Sequence, residues 1–512
     1  LRVALPHAPT TLDPQRAFTP ADRALARQLY EPLLRFGPEP EPEPAAALGA
    51  VPNEDATEWT FALRPDLRWA DGTPLRAEDY VRGWLRVLSR DVPDDLFALF
   101  RPIRAAGVYR FDFVDAEAVG LSAPDPSTLV VQTESSAAHF RHVAALWLGA
   151  PARPSASANA SANEAPSATR VGNGPYVLDS WVVDQHLSLL PNAHYWAGAP
   201  PAALTFLMGP QAVEDALTDL SSATKDAAAV LADIVPVPDH LAGTVLGDPR
   251  LRGLLVRQPR PATLWLSCNV TRAPLDNALV RKALAYAIDR DAYVAEILGG
   301  AGRPAYSLLP AGVPGHDPAA GATYHLRPDA ARELVAAAGV DEDQWESLAV
   351  TIPATDAGRQ SAGFLRDQLE RHLGVRLGIV ELDRYSYVRA LERKHYDLAF
   401  AGWEGPYPDP EGWFWLVFGA GKAENRTGWE SRALDDLWRR ADELPDPRRR
   451  LDLYAAAQQV LLDEMPVVFL AQPHRLAAVH PRVQGLTPSV MDEFPGVASF
   501  AHVQLRPERA NA

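Results

Sequence analysis

Hydrophobic and polar positions alternate clearly at 58–65, "EWTFALRP", where Trp59, Phe61 and Leu63 share one face. That period of two predicts a half-buried β-strand. After a turn at Asp71-Gly72, "DGTPLRAEDYVRGWLRVL" places Tyr80, Trp84 and Leu88 at helical spacing. The most regular region is 348–403. "LAVTIPA" reads as a strand, 356–373 as an amphipathic helix ended by Gly374, and "VRLGIVEL" as a strand; a helix over 385–394 and the strand "YDLAFAGW" follow. Strand–helix–strand spacing this tight predicts βαβ units and a parallel sheet. Helices over 276–298, capped by Asp276, and 449–463 are expected to cover its faces.

Two stretches interrupt the pattern. "PEPEPEP" at 38–44 predicts a solvated polyproline-II connector, and the small, polar 151–170 a flexible linker. The segment between them has the makings of a small α+β domain. Beyond the last strand lies "AGWEGPYPDPEGWFW" at 401–415, with three tryptophans and three prolines. It leaves a strand at its carboxyl end, where open α/β sheets bind ligands. Trp403 is expected to face a cleft, with Trp413 and Trp415 packed beneath the loop.

Length and composition narrow the classes. A chain of 512 residues is too long for one core, so about two or three domains are expected. The apolar fraction of 47% and charged fraction of 22% are those of a globular protein. A net charge of −16 argues against nucleic acid or anionic membrane as the main partner. The single cysteine, Cys268, excludes an intramolecular disulfide and a multi-thiolate metal site. The start at Leu1, without an initiator Met or an apolar leader, reads as a trimmed mature form with any export signal upstream.

Catalytic motifs are few. There is no G-x-S-x-G elbow, H-E-x-x-H helix or phosphate-binding P-loop. "GNGPY" at 172–176 starts like a dinucleotide fingerprint but stops after two glycines. His139 and His142 are spaced to share a metal on a helix, yet no third ligand is near in sequence, and a surface or capping role is expected. Glu404, Asp409 and Glu411 beside Trp403 and Trp413 would suit a glycosidase cleft. Carboxylates in Pro/Gly-rich loops are more often turn formers and caps.

Six segments, in order, resemble the extracellular solute-binding proteins of family 5, the oligopeptide-, dipeptide- and nickel-binding receptors of ABC importers. They are "LRVALPHAPTTLDPQRAFTPADRALARQLYEPLL", "EWTFALRPDLRWADGTPLRAEDYVRGWLRVL", "GNGPYVLDSWVVDQHLSLLPNAHYW", "NVTRAPLDNALVRKALAYAIDRDAYV", "YDLAFAGWEGPYPDP" and "DEMPVVFLAQPHRLAAVHPRVQGL". The resemblance implies an α/β, type II periplasmic-binding-protein-like fold: two α/β lobes joined by crossover strands at a hinge, plus an extra α+β domain. Lobe I would comprise 1–44, 168–267 and 483–512, the extra domain 45–167, and lobe III 268–482. It further implies a monomeric receptor outside the cytoplasmic membrane, periplasmic or lipid-anchored, that captures a peptide or related solute between its lobes by hinge closure. The receptor would deliver the solute to ABC transporter permease subunits, with no nucleic acid, cofactor or metal and no catalysis. Alternatives are a dedicated receptor for a sugar, opine or metal chelate, and a glycoside hydrolase-like enzyme.

In the peptide-binding members the ligand lies as an added β-strand, held by backbone hydrogen bonds beside roomy pockets. The resemblance then assigns ligand contacts to Phe18 and Thr19 before the first long helix and to Gly402, Trp403, Glu404 and Gly405 after the strand. Tyr407, Asp409, Arg359, Arg384, Tyr385 and Phe494 complete the expected set. Two positions depart from the family. The oligopeptide receptors have an Asp three residues after that Trp, to pair with the peptide ammonium, and an Arg three before it. This chain has Pro406 and Phe400 there. Glu404 or Asp409 is the candidate replacement for the negative charge. Arg359 and Arg384, expected in loops facing the ligand, would meet a carboxylate.

Overall fold

Trp59 and Phe61 are both buried in the strand Glu58–Ala62, and Leu63 is buried just beyond it, so the alternation at 58–63 does fold as one buried face. The helix Ala77–Leu88 buries Tyr80, Trp84 and Leu88 as its spacing predicts. Trp84 meets Phe61, Phe100 and Phe140 edge-on, with centroids 5.1–6.3 Å apart, and its indole N–H donates to the Gly149 carbonyl at 2.9 Å. The computed structural model describes residues 1–153, 171–222, 230–340, 344–345, 348–493 and 497–506. The linker expected at 151–170 therefore falls mostly outside the described residues.

The chain divides into two units: residues 1–238, 247–258 and 475–512 form the first, and 239–246 and 259–474 the second. The first contains the whole of 45–167, which carries its own four-stranded antiparallel sheet in the order Val51–Pro52, Glu58–Ala62, Thr128–Gln132, Leu121–Asp125. Its larger sheet places Arg2–Leu5 parallel to Leu204–Met208 on one side and to Ile234–Val237 on the other. His186–Pro191 and Tyr176–Val182 extend it antiparallel. The polyproline-II expectation at 38–44 does not hold throughout. Pro42–Pro44 pairs antiparallel with Leu34–Phe36, an edge position where a missing N–H is tolerated.

In the second unit Ala349–Pro353 runs parallel to both Gly378–Leu382 and Leu398–Glu404. Between the strands lie the helices Asp356–Leu373, capped by Thr355 and ended by Gly374 at φ 73°, and Arg384–Glu392, capped by Asp383. This is the strand–helix alternation read from 348–403. The sheet is mixed, however, because Leu398–Glu404 also pairs antiparallel with Ala262–Cys268, which in turn pairs antiparallel with Val467–Val479.

The helix expected over 276–298 is broken into Ala278–Tyr286, capped by Asn277, and Arg290–Glu296, capped by Asp289. A buried guanidinium accounts for the break. Arg290 donates to the carbonyls of Phe469 (2.7 Å), Tyr324 (2.9 Å), Ala285 (3.0 Å) and Ile288 (3.2 Å), two of them from the interrupted turn. Burial pulls its pKa down to about 10, so the charge is retained at neutral pH by those four carbonyls. Arg281 does the same with Leu275, Asp276, Glu464 and Met465. His139 and His142 are buried rather than on the surface, His139 at the N-terminal cap of Phe140–Val143.

Cys268 ends the strand Ala262–Cys268 fully buried, and desolvation pushes its thiol up to about 12. A thiol so placed has almost no thiolate at pH 8. Native protein is expected not to react with a disulfide reagent at that pH on the minute timescale, and to release one equivalent of chromophore in denaturant. Rapid native reaction would show that this strand end opens.

Candidate functional site

The strand Leu398–Glu404 carries the residues singled out in the sequence. Its register against the neighbour sets Leu264 opposite Gly402, Thr263 opposite Trp403 and Ala262 opposite Glu404. A Cβ at Gly402 would come within 2.9 Å of both the Leu264 side chain and the Thr263 carbonyl, so the close approach requires glycine. On the other edge, pairing with Ala349–Pro353 covers only Leu398 and Ala399. The hydroxyl of Tyr387, from the helix Arg384–Glu392, donates to the Phe400 carbonyl, which therefore faces that outer edge. The Gly405 N–H turns the other way, donating to the Pro261 carbonyl at 2.8 Å. Orientation alternates along an antiparallel strand, so the N–H and C=O of Gly402 face the outer edge with those of Phe400.

Trp403 is half-buried, and its indole N–H donates to the Gly412 carbonyl at 2.9 Å. Beside it is a cavity of about 40 Å³, lined by Gly402, Trp403, Trp265, Ser267, Glu424 and Arg426, which is room for about one water. Glu404 is exposed and pairs with Arg260 at 2.7 Å, and Arg260 also meets Asp239 at 3.3 Å. Nothing local in the sequence links Arg260 to Glu404, which is 144 residues away, or marks Tyr387 as a support of Phe400. Both were missed.

The next residues turn inward. A Cβ at Gly405 would lie 2.6 Å from the indole nitrogen of buried Trp413. Two of the expected ligand contacts, Tyr407 and Asp409, are corrected here, for both are buried and occupied within the loop. The Tyr407 hydroxyl donates to Glu411. Burial, reinforced by the Glu411 charge, pushes its pKa well above that of an ordinary phenol. Asp409 accepts both ends of the Arg450 guanidinium, at 2.8 and 3.0 Å. Burial works against the Arg450 charge, but Asp409 more than offsets it and the guanidinium holds its proton unusually firmly. Asp409 is thus not the replacement anion. Trp413 is in the core as expected, whereas Trp415 is half-buried, with Lys422 Nζ 3.7 Å from its ring centroid and Trp438 edge-on at 6.0 Å.

Arg359 and Arg384 are on helices rather than loops. Arg359 is tied to Asp356 (2.7 Å) and Glu381 (2.5 Å), and these carboxylates raise its pKa. Arg384 opens its helix exposed, and the next residue, Tyr385, is 68% exposed and accepts from Arg389 at 2.7 Å. In the first unit Phe18 is 48% exposed. Thr19 caps the helix Pro20–Leu29 by a reciprocal pair of bonds with Asp22 at 3.0 and 3.1 Å. Phe494 lies outside the described residues.

Residues 41–425 match the family described as bacterial extracellular solute-binding proteins, family 5. The chain belongs to that family. The periplasmic murein peptide-binding protein MppA of Escherichia coli is 25% identical over 486 residues, 93% of this chain and 88% of that protein. The oligopeptide-binding protein OppA of Bacillus subtilis is 24% identical over 476 residues, 91% and 86%. Among solved structures, the unliganded open form of the murein tripeptide-binding protein MppA matches with a TM-score of 0.85 at 23% identity, covering 99% of this chain and 97% of that one. OppA of Haemophilus influenzae in complex with RPPGFSPFR matches at a TM-score of 0.71 and 19% identity, covering 99% and 98%. This family-5 chain has the type II periplasmic-binding-protein fold, with α/β units and mixed sheets. Among the described residues no helix is long and apolar enough to cross a membrane, and no three His, Cys, Asp or Glu side chains gather as a metal site.

Removing one partner of a buried ion pair strands the other charge. Asp409→Ala is expected to lower unfolding stability by about 3–5 kcal/mol. Trp403→Ala, at a half-buried position, is expected to lose clearly less. Denaturant melts of both variants check this ranking, and an Asp409→Ala loss below that of Trp403→Ala would remove the pair from its anchoring role.

Proposed function

We propose that this chain is the solute-binding receptor of an ABC importer, acting outside the cytoplasmic membrane and capturing peptides without covalent chemistry. The observation that carries the reading is the strand edge at Gly402. Its main-chain donor and acceptor face outward where strand pairing has ended, and Trp403 and Glu404 follow it on alternate faces of the strand. That is the arrangement that adds an extended peptide as a further strand, affinity coming from backbone bonds and tolerance from the side-chain surroundings. The names of the curated relatives, murein peptide-, oligopeptide- and dipeptide-binding proteins, support it.

Within this reading Gly402, Trp403, Glu404 and Gly405 form the contact strand, with Arg384 and Tyr385 in the same unit. The separate sheet of 45–167 supports its role as a scaffold domain. A second reading, a receptor dedicated to one non-peptide solute, is favoured by a specific observation. Pro406 occupies the position of the ammonium-binding Asp, and Glu404, the nearest acid, is already engaged by Arg260.

Native mass spectrometry of gently purified protein separates the two. A ladder of peptide masses is expected, and one sharp non-peptide adduct would favour the second reading instead. Trp403→Ala is expected to weaken binding of the recovered ligand by about 1–3 kcal/mol, as truncation of an aromatic anchor does, measured by calorimetry. Unchanged affinity would move the site away from this strand.

A further inference from the structure

Ala399, Ala401 and Trp403 share one face of the strand Leu398–Glu404, opposite Ser267, Trp265 and Thr263 of the neighbouring strand. The cavity of about 40 Å³ lies on this face, between Ala401, Trp403, Trp265, Val417 and Phe418. Two further walls, Gly402 and Leu391, bring it to the uncovered edge of the strand. Gly402 turns its peptide groups outward there, and Leu391 belongs to the helix that sends Tyr387 to the Phe400 carbonyl.

The walls have little room to retreat. Trp265, Val417 and Phe418 are buried, with the Trp265 and Phe418 rings 6.1 Å apart. The Trp265 indole N–H donates to the Ser267 hydroxyl at 3.0 Å, and Phe418 meets Trp429 edge-on at 6.3 Å. Arg426, the charged wall, is joined to Glu424 at 2.8 Å, and its carbonyl accepts from the Tyr396 hydroxyl at 2.8 Å. Groups packed in this way transmit strain rather than yield, so the cavity keeps its size. With room for about one water, it admits a methyl or hydroxymethyl group and excludes a branched or aromatic one.

Side chains opposite one another on paired strands share a face. Every second residue of a strand added at Gly402 therefore points to the Ala401–Trp403 face, where the cavity lies. We propose that this cavity is a size-selecting subsite, which takes the side chain of one ligand residue and restricts that position to glycine, alanine or serine. The proposal rests on the peptide reading and narrows it, from any extended peptide to peptides with a small residue at one fixed position. A leucine there must either displace Trp403 or lift the ligand backbone from Gly402. Forcing surplus methylenes into a packed space is costly enough to lower affinity about tenfold or more.

The test is calorimetric titration of the full chain with tetra-alanine and its single replacements by glycine, serine, leucine and phenylalanine at each position in turn. At one position at least, leucine and phenylalanine are both expected to bind about tenfold more weakly than alanine, with glycine and serine within about threefold of it. Ala401→Val fills the cavity from a half-buried strand position that suits a β-branched residue. At that same ligand position it is expected to favour glycine over alanine by about tenfold, leaving the glycine peptide within about threefold of its former affinity. The proposal is overturned if leucine and phenylalanine are accepted at every position, or if no peptide of the set binds. It is equally overturned if Ala401→Val weakens the glycine and alanine peptides alike or leaves both unchanged, since the size limit would then lie elsewhere. The peptide reading is judged separately, by whether peptides are recovered with the purified protein. A recovered ladder together with indifference to side-chain size would sink this inference alone.

Discussion

The absence of a side chain at Gly402 is the constraint on which the site rests. Leu264 and Thr263 press so close that a Cβ there would sit 2.9 Å from each, and only glycine lets Leu398–Glu404 keep its register with Ala262–Cys268. A slip of one residue would exchange the two faces of the strand and the two edges of its backbone. The Gly402 peptide groups would then turn toward Ala262–Cys268 and away from the uncovered edge. Downstream, Gly405 allows Trp413 to close in, and the Asp409–Arg450 pair and the Tyr407–Glu411 bond hold the proline-rich turn against the core. The loop is fixed from within, which leaves Trp403 and Glu404 at the surface.

This division of labour among the acids bears on ligand charge. Asp409 and Glu411 are buried and occupied, so Glu404 is the acid of the loop that meets solvent. It pairs with Arg260, and the two side chains are 37% and 27% exposed. Pairs exposed to this degree are worth about 0–1 kcal/mol. A ligand ammonium can replace Arg260 at Glu404 at small cost, whereas drawing Asp409 from Arg450 would strand a buried cation. Of the two acids, Glu404 is therefore the one open to a cation from outside the loop, and Asp409 is closed to it.

What was legible in the sequence was whatever repeats locally. The strand–helix alternation of 348–403 and the buried face of Glu58–Ala62 follow from periods of two or 3.6 residues, and the helix end at Gly374 from the residue type itself. Family resemblance then pointed to Gly402–Gly405 as the strand proposed to meet the ligand. Pairings across long separations carry no such period. Asp409 finds Arg450 at a distance of 41 residues and Glu404 finds Arg260 at 144, and neither Asp nor Glu in "EGPYPDPEG" announces which is to be buried. The break at 287–289 was hidden because Ala287 and Ile288 continue the apolar pattern while Arg290 needs carbonyls that an unbroken helix would keep for itself.

Buried arginines show how this chain treats a cation that is kept enclosed. Arg290 and Arg281 are each met by carbonyls on several sides, and Arg450 by a bidentate carboxylate. A buried charge is stable only when its donors are met in this way.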